Sequence, residues 1–229
     1  MAVAFDSSSS VSADGPGPYT VSHTCSGSDR LLVACIAFYH SLSVVSALTY
    51  NGVALTRLGN LSDFQYNSEI WYLVNPASGA NTLSLTLSGS QFGVGLMGLS
   101  FTGVDQTVPI AGYVSGSGTS TSPSVVASSG TDEMVVDCLC ITHNGTLSVG
   151  ADQTSRLNAI SSSGAIKYAA STEPGASSTT MSWSNSTSQG WVYSAGVIKP
   201  AGSSPSGHPA RKRHAGVPYV NLSFSPRIW

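Results

Sequence analysis

The residues in this chain of 229 that could catalyse a reaction or hold a metal are four cysteines, five histidines and eleven carboxylates. Their spacing limits that chemistry. Cys138 and Cys140 stand two apart in an apolar run, so on a strand both point to one face and cannot easily bond each other. A zinc site draws on two close cysteine pairs or on nearby histidines. Cys25 and Cys35 lie ten apart, and no C-x-x-C occurs. Four buried free thiols are expected, with no metal and no cofactor. His23, His40 and His143 are scattered near the ends of apolar runs, each with Ser or Asn close by. They read as satisfied or exposed side chains rather than as general bases.

The remaining signals are weak. "GVGLMG" at 93–98 matches G-x-G-x-x-G, but a dinucleotide site needs a helix after it, and "LSFTG" reads as a strand and a turn. Small residues in a packed strand explain the match. "GLSFTG" is not G-x-S-x-G. Asp132 and Glu133 belong to a turn, and Asp63, Asp105 and Asp152 lie in loops without a D-x-D-x-D pattern for calcium. No catalytic residue is assigned, and the chain reads as a protein that is not an enzyme. Among the aromatics, Trp183 shares strand parity with Met181 and reads as buried. Trp191 and Tyr193 share a face, either as packing between sheets or as a candidate platform for a host surface glycan.

The elements that position these residues are short β-rich runs broken by Gly, Ser, Asn and Pro. The clearest cover 30–40, 45–51, 68–74, 81–87, 93–101, 133–141, 165–171, 178–183 and 191–198. Leu83, Leu85 and Leu87 alternate with Thr82, Ser84 and Thr86, which marks a strand with one wet face. The unbroken run from Leu31 to Phe38 suits a central strand covered on both faces. No twelve-residue stretch carries a capped helical period, so the chain is all-β.

A weak repeat underlies the runs. "RLLVACIAF" (30–38) parallels "EMVVDCLCI" (133–141), matching Cys35 with Cys138. "EIWYLVNPASGANTLSLTL" (69–87) parallels "AIKYAASTEPGASSTTMSW" (165–183), matching Tyr72 with Tyr168, and "GLMGLSF" (95–101) parallels "VYSAGVI" (192–198). The fold expected is a single antiparallel β-sandwich of jelly-roll type over residues 1–200. It is built from half-repeats at about 17–103 and 125–200, each too small to close its own core. The segment 104–124 would cross between them.

"SHTCSGSDRLLVACIAF", "LTYNGVALTRLG", "EIWYLVNPASGANTLSLTL", "GLSFTGVDQTVPI", "STEPGASSTTMSW" and "AGVIKP", in this order, resemble a β-sandwich module of secreted bacterial and phage-encoded proteins. The resemblance spans about residues 17–200. It implies a module that displays, pads or binds, with no agreed catalytic set.

The ending differs from the body. Residues 1–200 carry all eleven carboxylates and five bases, a net of −6; residues 201–229 carry four bases and no acid. The acidic body makes nucleic acid an unsuitable partner. No apolar run is long enough to span a membrane, and "MAVAFDSSSSV" lacks the pattern of a secretory signal. A Pro/Gly/Ser and basic linker (201–216), with Arg211, Lys212 and Arg213, precedes a short arm (217–229), with Tyr219, Leu222, Phe224, Ile228 and Trp229. Burying those five apolar side chains yields roughly 10 kcal/mol, against roughly 12–20 kcal/mol to order a dozen residues. Strand pairing or a many-copy assembly must supply the difference. The expected function is therefore a non-enzymatic component of a virus particle, made in the host cytoplasm, such as a capsid decoration, fibre or other head or tail surface protein. Its arm would dock on another virion subunit or on a second copy of the chain. The alternative is a carbohydrate-binding or adhesive module that uses Trp191 and Tyr193.

Overall fold

The structure is a computed structural model that describes residues 1–40 and 42–202. The arm and most of its linker therefore lie outside the described residues. The first half contributes β1 (Ala4–Gly15), β2 (Tyr19–Cys25), β3 (Leu31–Tyr39), β4 (Val45–Tyr50), β5 (Val53–Ala54), β6 (Thr56–Asp63), β7 (Tyr66–Val74), β8 (Gly79–Leu87) and β9 (Gln91–Thr102). The second contributes β10 (Ile110–Ser120), β11 (Ser124–Ala127), β12 (Met134–Thr142), β13 (Leu147–Val149), β14 (Thr154–Ile160), β15 (Ile166–Pro174), β16 (Thr179–Asn185) and β17 (Gln189–Ile198). Strands of the first half form two sheets, β1-β9-β3-β7-β6 and β2-β8-β4-β5; the second repeats the plan as β10-β17-β12-β15-β14 and β11-β16-β13. Every ladder between named strands is antiparallel.

The chain is thus an all-β antiparallel sandwich of jelly-roll type made from two similar halves. The halves prove more complete than their strand count implied. In the first, β1-β9-β3-β7 faces β2-β8-β4-β5, which is the strand order of a jelly roll in itself. Three cores follow. Leu32, Ile36, Phe38, Leu83 and Leu85 lie between the two sheets of the first half. Val135, Leu139, Ile141, Trp183 and Tyr193 do the same in the second. The largest core lies between the two five-stranded sheets and joins Val33, Cys35, Met97 and Phe101 to Val136, Cys138 and Tyr168. β3 shows why: successive side chains point to opposite faces, and each face of β3 meets a covered core, so Leu31 to Phe38 are all buried.

The two halves meet with β3 and β12 side by side. Cys35 Sγ donates to the Asp137 carbonyl at 3.5 Å, and Cys138 Sγ donates back to the Ile36 carbonyl at 3.6 Å. Cys140 Sγ reaches the Phe38 carbonyl at 3.9 Å, so the two strands run in the same direction across the interface. Gly95 sets the spacing of the sheets. A Cβ built there would lie 2.4 Å from Tyr168 Cγ, well inside van der Waals contact, so the ring lies against bare backbone. This close approach accounts for "GVGLMG" as packing.

Two sequence expectations shift. The segment 104–124 is not simply a crossing, because Ile110–Ser120 pairs along β17 as the edge strand β10. β1, rich in serine, occupies the corresponding edge of the other half by pairing with β9. Neither shows a hydrophobic run, since an edge strand that is half exposed draws its order from its ladder partner rather than from propensity. The match of Tyr72 with Tyr168 also slips. Cys35 pairs with Ile70, whereas the β12–β15 ladder runs from Val136↔Thr172 to Leu139↔Ala169 and so brings Ala170 beside Cys138. With the cysteines matched, Tyr72 corresponds to Thr172.

Gly95→Ala should destabilise the protein by about 1–3 kcal/mol, as overpacking does. The cost should shrink strongly in a Tyr168→Ala background, where the obstructing ring is gone. Urea unfolding of the two single variants and the double variant measures the coupling; additive effects would mean that Gly95 does not set the sheet spacing.

Candidate interaction surface

The chemistry-bearing residues are dispersed through the fold. All four cysteines are free and buried. Burial lifts the Cys140 thiol well above its ordinary range, and the neighbouring Cys138 thiol, with burial, does the same for Cys35. Among the described residues no group of three or more His, Cys, Asp or Glu side chains is placed to hold a metal, and no pocket opens. Asp105 is occupied locally, accepting from the Thr107 and Val108 amides at 2.7 and 2.9 Å. Glu133 accepts from Lys199 Nζ at 2.7 Å and from the Gly130 amide at 2.8 Å. His143 is exposed at the mouth of a turn, with Nδ1 3.0 Å from the Gly164 carbonyl.

Asp137 is the most heavily engaged polar group. It sits fully buried on β12 and takes the Tyr193 hydroxyl at 2.5 Å, Trp183 Nε1 at 3.1 Å, and both the amide and the hydroxyl of Ser171. Burial pushes its pKa up to about 6 in spite of these donors. This places Tyr193 and Trp183 at the centre of the second half. Trp191 is also buried, with Nε1 donating to Ser120 Oγ at 2.9 Å. Trp191 and Tyr193 therefore present no aromatic face to a sugar, and the inter-sheet reading of the pair holds. In the first half His23 on β2 is buried, bonded through Nδ1 to Ser9 Oγ at 2.9 Å, and held neutral by burial with a pKa lowered to about 4.

The surface itself is divided into two unlike ends. At one end β3 finishes, β7 and β9 begin, and the second half brings the ends of β12 and β14 alongside. Tyr39 stands opposite Phe92 in the ladder and packs edge-on against Tyr66, with ring centroids 5.5 Å apart. Tyr66 also takes a hydrogen bond from Thr142 Oγ1 at 2.6 Å, so both halves build the cluster. Around it Leu42, Phe64, Phe92 and Ile160 are exposed by 66%, 58%, 60% and 49%. Half of the exposed large apolar side chains among the described residues thus gather at one end. Gly93, beside Phe92, abuts Ser161, beside Ile160. Phe64 holds φ at +54° in the β6–β7 hairpin, while the other five positive-φ residues besides glycine are Asn or Asp. A bulky side chain there is strained.

The opposite end is acidic, and the chain leaves from it. Ala201 N bonds to the Gly103 carbonyl, and Pro200 bridges to Val104. Asp29, Asp105 and Asp132 lie in the turns around this exit, each tied by a backbone bond to Val104, Lys199 or Val3. Glu133, Glu173, Asp6 and Asp152 belong to the same end by their strand positions. Against these seven carboxylates stand Arg30, Arg156 and Lys199.

Arg211, Lys212, Arg213, Tyr219, Leu222, Phe224, Ile228 and Trp229 fall outside the described residues. Their role as a partner-binding arm is taken up below. The apolar end carried no signal in the sequence beyond "DFQY" (63–66), a phenylalanine in an otherwise polar turn, because its members come from five separate segments. Comparison with protein-family models, with curated proteins and with solved structures gives no match. The class defined by the structure is an antiparallel β-sandwich of two jelly-roll halves.

His23 and Asp137 should give opposite pH dependences. The folded pKa of His23 lies below its ordinary 6.5, so its stabilising neutrality is lost as pH falls from 6.5 towards 4. The folded pKa of Asp137 lies above 3.8, so burying its charge costs most above pH 6 and is relieved as pH falls from 6 towards 4. Relative to the unmodified protein, His23→Gln should gain about 2 kcal/mol, and Asp137→Asn lose about 2 kcal/mol, between pH 6.5 and pH 4.5. Urea unfolding at the two pH values reads both differences. Slopes of the same sign for the two variants would contradict the assignment.

Proposed function

We propose that this chain is a non-enzymatic structural subunit of a virus particle, displayed on the head or tail surface and joined to its neighbours through its C-terminal segment. The observation that carries this reading is the division of the body into an acidic end, where the chain exits, and an aromatic end opposite. Among the described residues, three continuous β cores are built from members between Val3 and Ile198. An ending rich in Tyr, Leu, Phe, Ile and Trp is suited to a contact made in many copies. The sparsely charged body and the resemblance of its pieces to phage-encoded sandwich modules favour a virion as the setting. Burial of Trp191 and Tyr193 removes the residues on which the glycan alternative relied.

Mass spectrometry of purified particles from the genome encoding the chain should find it in a fixed ratio to the major capsid or tail protein. Recovery only from the soluble fraction of the lysate would overturn the proposal. Removing residues 211–229 should leave thermal unfolding almost unchanged while abolishing incorporation. Unfolding of the truncated chain would instead make the segment part of its own core, and normal incorporation would make it a bystander.

A further inference from the structure

We propose that the partner of the C-terminal segment is a second copy of this chain: residues 217–229 of one copy dock on the aromatic end of the next, formed by Tyr39, Leu42, Phe64, Tyr66, Phe92 and Ile160, and stack the copies head to tail. The inference rests on the arm acting in assembly and adds the surface it meets.

Three observations select this occupant. The first is the surface. Leu42, Phe64 and Phe92 are each more than half exposed beside the packed Tyr39–Tyr66 pair, and Phe64 is held outward on a strained backbone. A protein gains nothing from such a residue in isolation, whereas an aromatic cluster rimmed by polar groups suits burial against another apolar segment.

The second is position. Residues 201 and 202 leave at the end opposite the cluster, so an arm projecting onward meets the far end of the following molecule. Its contact is heterologous, and repetition gives a stack or a ring rather than a closed pair.

The third is charge and length. Arg211, Lys212 and Arg213 begin nine residues past Gly202, within reach of the acidic exit end, where among the described side chains seven carboxylates outnumber three cations. From Arg213 to Tyr219 is six residues, a span of roughly 20 Å at about 3.3–3.6 Å each. The body's own aromatic end lies farther off, since its strands of up to 12 residues extend roughly 40 Å. With the basic run held at the acidic end, Tyr219 and Leu222 fall short of the body's own cluster, whereas the whole run from Tyr219 to Trp229 can lie on that of an abutting copy. The same cations then lie between two molecules and offset the charge of the exit end.

Sedimentation of purified chains tests this directly. The full chain should form oligomers that grow with concentration. A chain ending at residue 216 and a full-length Phe64→Ser/Phe92→Ser chain should each sediment as a monomer with an unchanged melting temperature, because the described members of all three cores are retained and both phenylalanines are exposed. Mixed together, these two crippled chains should form a one-to-one dimer and stop there, since one supplies only an arm and the other only an aromatic end. A fluorescein-labelled peptide of residues 217–229 should bind the truncated chain, with affinity falling about tenfold or more when the truncated chain also carries Phe64→Ser/Phe92→Ser.

A full chain that stays monomeric at all concentrations, or a mixture that yields no dimer, overturns the inference in favour of an arm folded on its own body or on a different protein. Oligomers that persist in either crippled chain alone overturn it in favour of another surface. The outcomes separate from those of the virion reading. Head-to-tail association by a chain absent from particles would sink only that reading, and incorporation without the mixed dimer would sink only this one.

Discussion

The packing of the two five-stranded sheets against each other is the constraint on which the rest of the structure depends. Each half, taken alone, has a covered face between its large and small sheets and a second apolar face on the other side of the large one. β3 and β12 carry apolar side chains on both faces, so neither half can leave its second face in water. Close approach then requires small groups at the contact. Gly95 beneath Tyr168, and the reciprocal thiol bonds of Cys35 and Cys138, meet that need. Cysteine here behaves as a small apolar residue with a weak donor, which satisfies a neighbouring carbonyl without enlarging the gap.

Each half buries titratable groups, and the two most telling, Asp137 and His23, differ. Asp137 gathers Tyr193, Trp183 and Ser171 around one carboxylate, which fixes the rotamers of two large aromatics in that core. His23 stays neutral in the corresponding half. A buried carboxylate with five donors resembles a catalytic centre in its list of residues but not in its setting. Nothing opens onto it, and its energetic effect falls on the uniqueness of the core.

The long axis of the molecule has a polarity that the internal repeat does not impose. Because β3 and β12 run the same way, corresponding ends of the two halves coincide, and any bias in turn composition is doubled rather than cancelled. Aromatic and aliphatic residues collect where β3 and β12 finish, and carboxylates collect where they start. Such a body is suited to directional association, and the exit of the chain at the acidic end gives that direction a physical carrier.

The all-β class, the jelly-roll pattern, the repeat, the four free thiols and the buried Trp183 could be read from the sequence. Alternation and unbroken apolar runs report burial residue by residue, through the two-residue period of a strand. The edge strands β1 and β10 could not, because Ser and Gly carry no such pattern and their order comes from β9 and β17. The completeness of each half was hidden for a related reason, since its short outer strands look like loops until they pair. The roles of Asp137, Trp191 and Tyr193 and the aromatic end were decided only by the tertiary structure. They depend on which distant segments meet, and sequence spacing holds no record of contacts between Tyr39, Tyr66 and Thr142, or of a sheet face that a second half will cover.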